Sequence, residues 1–580
     1  MTDSDEQGGL TEGLQMDLFH PESEREPGDG NIQKWGFDIH PIVFPVSLMV
    51  IALFVGATIV LGEQAATVYS NVRRFFEGNF GWFFLLSVNV FIAGLLFFAF
   101  SKYGDVRIGG VEAETEFSDF SWMAMLFSAG MGIGLMFFSV SEPIFYYSNV
   151  PGFYEAEAGT GAAGIAAMTQ TFFHWGVHPW AIYGLVGLSL AFFSFNRGLP
   201  LTFRSIFWPL LGERIYRWPG HLIDLVTVFA TLFGLATSLG LGVKQINKGL
   251  SYILGDVLSV ATVPTGTIPQ IVLIAVITGI ATASVAAGLE GGVKRLSTLN
   301  VYLMFALLGF VLVVGPTVYV FGAWVQGLGS YLGNLPTLAF FTGALGDGQS
   351  TVNSWTVFYW AWWIAWSPFV GTFIARISKG RTVREFVIGV LIIPSLFSTI
   401  WLATFGGSAL YNSLQANGAV LAAYEQTGQT VAMFALLEQF PIGAVSGLLA
   451  VLLVVTFFVT SSDSGSLVVD HLTSGGKHDV PKIQRIFWAT VEGGVAALLL
   501  YGGGLNALQT AAIATGFPFA IVLIVMCYTL YLGLDNEYEL LQSEEFEQRV
   551  KEITTEDVDI DKSRTEVVTD IRKNPESTDD

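Results

Sequence analysis

The chain holds a single cysteine, Cys527, among 580 residues, so no internal disulfide and no cysteine metal framework can form. Charge is scarce too. Only 13% of residues are Asp, Glu, Lys or Arg, against 52% hydrophobic, far from the mix of a soluble domain. Lys and Arg are missing from the interior of every long apolar run. There is no glycine-rich nucleotide loop, and no polar segment groups a nucleophile with a base and an acid. An enzyme with a bound cofactor is therefore not expected. A basic stretch followed by a short apolar core is also missing from the start of the chain, so the first apolar run is expected to stay in the protein.

What is present is hydrocarbon. Runs of about twenty apolar residues, the length that crosses roughly 30 Å of lipid, recur from Pro41 to Gly533. They predict an all-α integral membrane protein of about twelve spans: 41–63, 81–101, 121–147, 169–194, 220–242, 268–288, 298–322, 354–375, 385–411, 441–462, 484–503 and 511–533. The net charge is −21, and more than half of the acids sit in two tails, 1–37 and 534–580. Acidic, weakly hydrophobic tails stay solvated, exclude nucleic acid as a partner and suit the salt-loaded cytoplasm of a halophile. Basic residues cluster in alternate loops, at Lys102 and Arg107, Arg197 to Arg217, Lys294 and Arg295, Arg376 to Arg384, and Lys477 to Arg485. By the positive-inside rule both termini are cytoplasmic in a multi-pass protein of the cell (plasma) membrane.

Two spans carry backbone breakers at matching places. The third contains Gly130-Met131-Gly132-Ile133-Gly134 and ends in Ser141-Glu142-Pro143, and the eighth contains Trp366-Ser367-Pro368-Phe369-Val370-Gly371. Four spans follow each. Two five-helix repeats, about 121–322 and 354–533, predict a transporter with a midplane site on broken helices. Close helix packing through small residues is the competing reading of the glycines.

Tryptophan lies where interfacial belts do not form. Trp362, Trp366 and Phe369 share one face of the eighth span, while His174, Trp175, Trp180 and Tyr183 lie mid-span in the fourth. Several ring faces together suit a cation that cannot donate hydrogen bonds, such as trimethylammonium. Core or lipid-facing packing is the alternative. Phe457 to Asp463, read at the cytoplasmic end of the tenth span, offers hydroxyls and carbonyls to a hard monovalent ion, or hydroxyls that bond back to their own helix. Structural roles are expected for Glu142, Asp463 and Glu492, and a hydrogen-bonded packing role for His174.

Over roughly 38–533 the sequence resembles the betaine/choline/carnitine transporter family. The motifs are Gly130 to Gly134, HWGVHPWAIY from His174 to Tyr183, WAWWIAWSPF from Trp360 to Phe369, and the loop from Arg376 to Glu385. The resemblance implies a LeuT-like 5+5 inverted repeat after two extra helices, and a homotrimer. It places the trimethylammonium box on Trp175, Trp180, Tyr183, Trp362, Trp363 and Trp366, beside Met131, Gly132 and Gly134. One sodium falls on Ser128, Met131, Phe457, Thr460 and Ser461. A second falls on Thr231 and Phe369, with Leu235 where the family has a threonine, which puts two-sodium coupling in doubt. Carnitine exchangers of the family place an arginine in the fifth span; residues 225–243 hold no basic side chain, which favours symport. Choline-preferring members carry an acid where this chain has Gly134, which favours a zwitterion, glycine betaine. Carnitine, choline, ectoine or dimethylsulfoniopropionate in the same fold, and a membrane osmosensor that binds solute without moving it, are the alternatives. The basic osmosensing C-terminal helix of some members is replaced here by acid.

Overall fold

The computed structural model describes residues 27–129, 132–287, 294–346, 348–477 and 479–543. It is helical almost throughout. A hairpin of β1 (Ile32–Lys34) and β2 (Phe37–Ile39) comes first. The main helices are α1 (Val43–Leu61), α2 (Gln64–Phe100), α3 (Asp119–Ala129), α4 (Ile133–Ser148), α5 (Gly161–Trp175), α6 (Val177–Phe195) and α7 (Trp218–Ser251). There follow α8 (Thr267–Ala287), α9 (Lys294–Val314), α10 (Thr317–Phe340), α11 (Phe358–Arg376), α12 (Val383–Leu402), α13 (Gly443–Thr473) and α14 (Lys482–Leu541). Nine helical segments among the described residues are long and apolar enough to cross a membrane. The third and eighth expected spans are not among them: α3 and α4 are each short, and Trp, Tyr, Ser and Pro lower the hydropathy of α11.

Burial sorts these helices into a centre and a rim. The apolar stretch of α5–α6 is 94% buried and that of α7 78%, whereas those of α1 and α9 are 28% buried. The first two therefore line the interior and the last two present apolar side chains outward, as lipid contact requires.

Where the expected spans break, the backbone differs from the expectation in three ways. The third span does divide, with Gly132 extended between α3 and α4. The eighth does not. Pro368 sits inside the continuous helix α11; Ile364, whose carbonyl loses its N–H partner there, accepts the Ser367 hydroxyl at 2.8 Å instead. The fourth span breaks unforeseen at Gly176, where the Tyr331 hydroxyl of α10 accepts the Val177 N–H at 3.1 Å. A Cβ on Gly176 would lie 2.5 Å from that oxygen, so only glycine lets Tyr331 in. The expected seventh span ends early, at Val314, and the unforeseen helix α10 follows Gly315-Pro316.

The last two expected spans form one 60-residue helix interrupted at Gly503 and Gly504, the latter at φ 60°. At 1.5 Å per residue an unbroken rod of that length would be about 90 Å, some three bilayers. The glycines are what divide it. Most of the two tails expected to stay solvated, 1–26 and 544–580, lies outside the described residues, and the described part of each is docked on the bundle. Trp35 and Gly36, both at positive φ, make the two-residue turn that hairpins favour, and Asp38 docks the hairpin on Lys477 at 2.6 Å and on Gln484 at 2.9 Å. At the other end α14 runs on to Leu541 because the Glu537 carboxylate meets Arg197 and Asn196.

Glycine allows a close contact between α6 and α11. A Cβ at Gly371 of α11 would lie 2.3 Å from Val186 of α6, and one at Gly187 3.1 Å from Ile374. Gly371→Val should destabilise the protein by about 1–3 kcal/mol through overpacking, seen as a lower thermal midpoint in detergent, while Gly279→Val, with open space around it, should leave the midpoint unchanged. A pH dependence follows from His40, whose Nδ1 accepts the Ile42 and Val43 N–H groups at the start of α1. Burial, aided by Arg204 and His221, pushes its imidazole from 6.5 down to about 3. Between those values the unfolded chain binds a proton that the native state refuses, so this contribution to stability falls as pH drops. Thermal midpoints of His40→Asn should show a shallower acid slope than wild type.

Candidate functional site

The six aromatic residues expected to form a box line one cavity. Trp175, Trp180, Tyr183, Trp362, Trp363 and Trp366 surround a space of ≈ 490 Å³, mouth included, together with Gly132, Ile133, Gly134, Leu135, Pro179, Ser238 and Ser398. Trp362 and Trp363 stack at 4.7 Å with 16° between their planes, Trp175 meets Trp363 edge-on at 4.8 Å, and Trp180 meets Tyr183 at 5.5 Å.

The orientation of these rings is imposed by their N–H groups. Trp362 donates to the Ser238 hydroxyl at 3.2 Å, Trp366 to the Gly234 carbonyl at 3.1 Å and Trp363 to the His174 carbonyl at 3.1 Å. Trp175 donates to Glu142 at 2.9 Å. With four indole donors committed to protein, carbon and π surface are what these rings can offer the cavity. Such a wall suits a ligand group with no hydrogen bond to give.

Gly134 decides how near the rings come. A Cβ there would stand 2.7 Å from the Trp362 ring and 3.0 Å from the Trp175 ring. Any side chain at 134 would displace them.

Behind the box lies a network centred on Glu142, which is fully buried. Its carboxylate accepts from Trp175, from the Tyr359 hydroxyl at 2.6 Å and faces His174 Nδ1 at 2.6 Å. His174 Nε2 in turn meets the Thr356 hydroxyl at 2.9 Å. The expected structural role of Glu142 and packing role of His174 hold in this geometry. Tyr359, Ser238 and Ser398 were not foreseen as neighbours of the box. Only their partners mark them, since a lone hydroxyl in a membrane helix ordinarily bonds back to its own turn.

Of the residues expected to hold sodium, those described lie on α3, α7, α11 and α13. Met131 lies outside the described residues, and Ser128 is half-buried on the last turn of α3. Phe457, Thr460 and Ser461 lie in the middle of α13, not at its end as expected, because the helix continues to Thr473. The Thr460 hydroxyl donates to the Thr456 and Phe457 carbonyls and accepts from Asn300 at 3.0 Å. Thr231 bonds back to Thr227 at 2.8 Å. Leu235 packs into the groove at Gly465, where a Cβ would be 2.2 Å from it, so it fills a helix contact and offers no ligand. Phe369 meets Trp366 edge-on at 5.3 Å.

Glu142→Gln should lower stability by about 1.5–3 kcal/mol, because charge-assisted bonds to Trp175 and Tyr359 become neutral and the amide opposes His174. Tyr359→Phe should cost about 1 kcal/mol. Thermal unfolding in detergent measures both, and an unmoved midpoint in Glu142→Gln would dismiss the network as a scaffold.

The family model described as betaine/carnitine/choline family transporter matches residues 42–539. Glycine betaine transporter 1 of Vibrio parahaemolyticus is 46% identical over 88% of this chain and 96% of its own. A glycine betaine/proline/choline/ectoine transporter of the same organism is 44% identical over 89% and 91%. A probable glycine betaine transporter of Desulfitobacterium hafniense is 43% identical over 86% and 98%. The chain belongs to the betaine/carnitine/choline transporter family, and is a multi-pass membrane transporter of small solutes, not an enzyme.

Proposed function

We propose that the chain imports a quaternary-ammonium compatible solute, glycine betaine being favoured, by sodium symport with alternating access at the aromatic cavity. The single observation that carries the substrate class is the cavity of six aromatic side chains, four of whose five indole donors are turned away into protein. Each desolvated ring contributes about 0.5–2 kcal/mol to a bound quaternary ammonium, so three or four reach micromolar-scale affinity. The relatives' names, all of which include glycine betaine, support the same class.

A zwitterion is preferred over choline because the space at Gly134, where an acid would neutralise a substrate without its own carboxylate, is taken up by Trp362 and Trp175. Gly132 and Ile133 at the start of α4 line the cavity, where the positive end of a helix favours a carboxylate. Sodium coupling is supported by the stretch of α7 from 225 to 243, which holds no basic side chain, and by the hydroxyls of Thr460 and Ser461 in the middle of α13. One sodium is the coupling favoured, since Leu235 gives the second site no oxygen. The same reading takes 121–322 and 354–533 as inverted repeats and the working unit as a homotrimer of the plasma membrane, with cytoplasmic termini and an acidic surface suited to high salt.

Labelled glycine betaine uptake into proteoliposomes tests this directly. Accumulation should require an inward sodium gradient; uptake without sodium, or only with substrate preloaded inside, would replace symport by exchange. Trp363→Leu should raise half-saturating betaine about tenfold or more if cation–π contact dominates, and unchanged kinetics would remove the box. Thr460→Ala should weaken activation by sodium without a comparable change in betaine affinity at saturating sodium.

A further inference from the structure

A second concentration of buried polarity lies where α8, α13 and α14 meet. Asp463 and Asp470 stand about two turns apart on α13, and Arg485 and Glu492 about two turns apart on α14; all four are buried. The two helices are joined by a short loop and run in opposite directions. Asp470 therefore lies level with Arg485, and Asp463 with Glu492. Ser462, beside Asp463, bonds to Glu492 at 3.3 Å, which fixes that register. Arg485 is the one basic side chain of the four. Arg485 acts on Asp463 and Asp470, while the charge that acts on Glu492 is Asp463.

Five oxygens in this cluster have no hydrogen-bond partner: both carboxylate oxygens of Asp470, level with Arg485, and Asp463 Oδ1, Glu492 Oε1 and Thr278 Oγ1. They come from three helices. Asp463 uses its other oxygen to accept from Ser284 of α8 at 2.8 Å. Thr278, also on α8, stands against the backbone next to Glu492, since a Cβ on Gly493 would lie 2.3 Å from its hydroxyl. Elsewhere around the cluster, α8 carries no charge, Asp224 of α7 is paired with Arg204, and His471 of α13 contacts Arg376. His221, Lys244 and Lys248 of α7 are not among the groups acting on Asp463 or Glu492.

Two adjacent carboxylates in a low-dielectric interior cannot both stay ionised without a counter-charge, and their orphaned oxygens would each go unmet in hydrocarbon. One small cation answers both demands. Carboxylate and hydroxyl oxygens are hard ligands, suited to a proton or an alkali ion and not to a soft metal. We propose that Asp463, Glu492 and Thr278 form a cation site, separate from the aromatic cavity and from Thr460 and Ser461, that takes one monovalent cation, a proton or sodium, between α8, α13 and α14.

A cation that binds only the native state raises its thermal midpoint with concentration, so the full-length protein in detergent reports the site without any transport assay. One titration replaces potassium by sodium at constant ionic strength, and the other varies pH without sodium. Thr460→Ala serves as background, to set aside the other sodium reading. In that background Glu492→Gln and Asp463→Asn should shift half-saturating sodium by about tenfold or more, or Glu492→Gln the pH midpoint by about one unit or more. A shift in sodium identifies sodium as the occupant, and a shift in pH a proton. Thr278→Val keeps both carboxylates and should give a smaller shift in the same direction, which keeps the test alive if an amide variant fails to fold. Sodium and pH titrations that coincide for the background and for Thr278→Val and Glu492→Gln would overturn the site. The transport reading could fail separately, in the uptake assay, without moving these midpoints.

Discussion

A carboxylate with no water to solvate it has to be solvated by protein, and Glu142 is where this molecule meets that demand. Hydrocarbon offers no partners, so every buried polar group must find one inside the bundle. Glu142 draws Trp175 and His174 from α5 and Tyr359 from α11 onto one side chain of α4. Because Trp175 is itself a wall of the cavity, satisfying the acid and orienting the ring are the same event. The expense of a buried charge thus becomes positional accuracy in an otherwise slippery aromatic wall.

Glycine does the complementary work by subtraction. Where Glu142 pulls three elements together, Gly134 lets Trp362 and Trp175 approach to contact, and Gly187 with Gly371 lets α6 and α11 touch nearly backbone to backbone. Indole rings are too large to be crowded around a small cation unless something beneath them is small. The pairing of large rings with bare backbone is therefore a single device, and a side chain at either kind of position changes the cavity's shape.

Much of this was legible in the chain. Apolar runs have the length that lipid sets, so the helical membrane class could be read directly; mid-span tryptophan pointed to an aromatic site, while the set of six box residues came with the family resemblance. The partnership of Glu142 with Tyr359 could not, because the two are 217 positions apart and nothing local couples them. Pro368 misled for a different reason. Proline signals a break, but a neighbouring hydroxyl satisfied the stranded carbonyl and the helix went on. The helix α10 escaped because Gly, Ser and Asn interrupt its apolar pattern, and Leu235 shows the converse case: a sequence mismatch to a ligand position that the packing against Gly465 explains.

The bonds that hold the box are unequal, and the inequality has a direction. On the α4–α5 side, Glu142 makes charge-assisted bonds worth about 1.5–3 kcal/mol each. On the α7 side, Trp362 and Trp366 are tied by neutral bonds to Ser238 and Gly234, worth about 0.5–1.5 kcal/mol each. Parting α11 from α7 breaks two weak bonds, whereas parting it from α4 strips a buried carboxylate. In hydrogen bonds alone, the box is held more firmly on the α4–α5 side than on the α7 side.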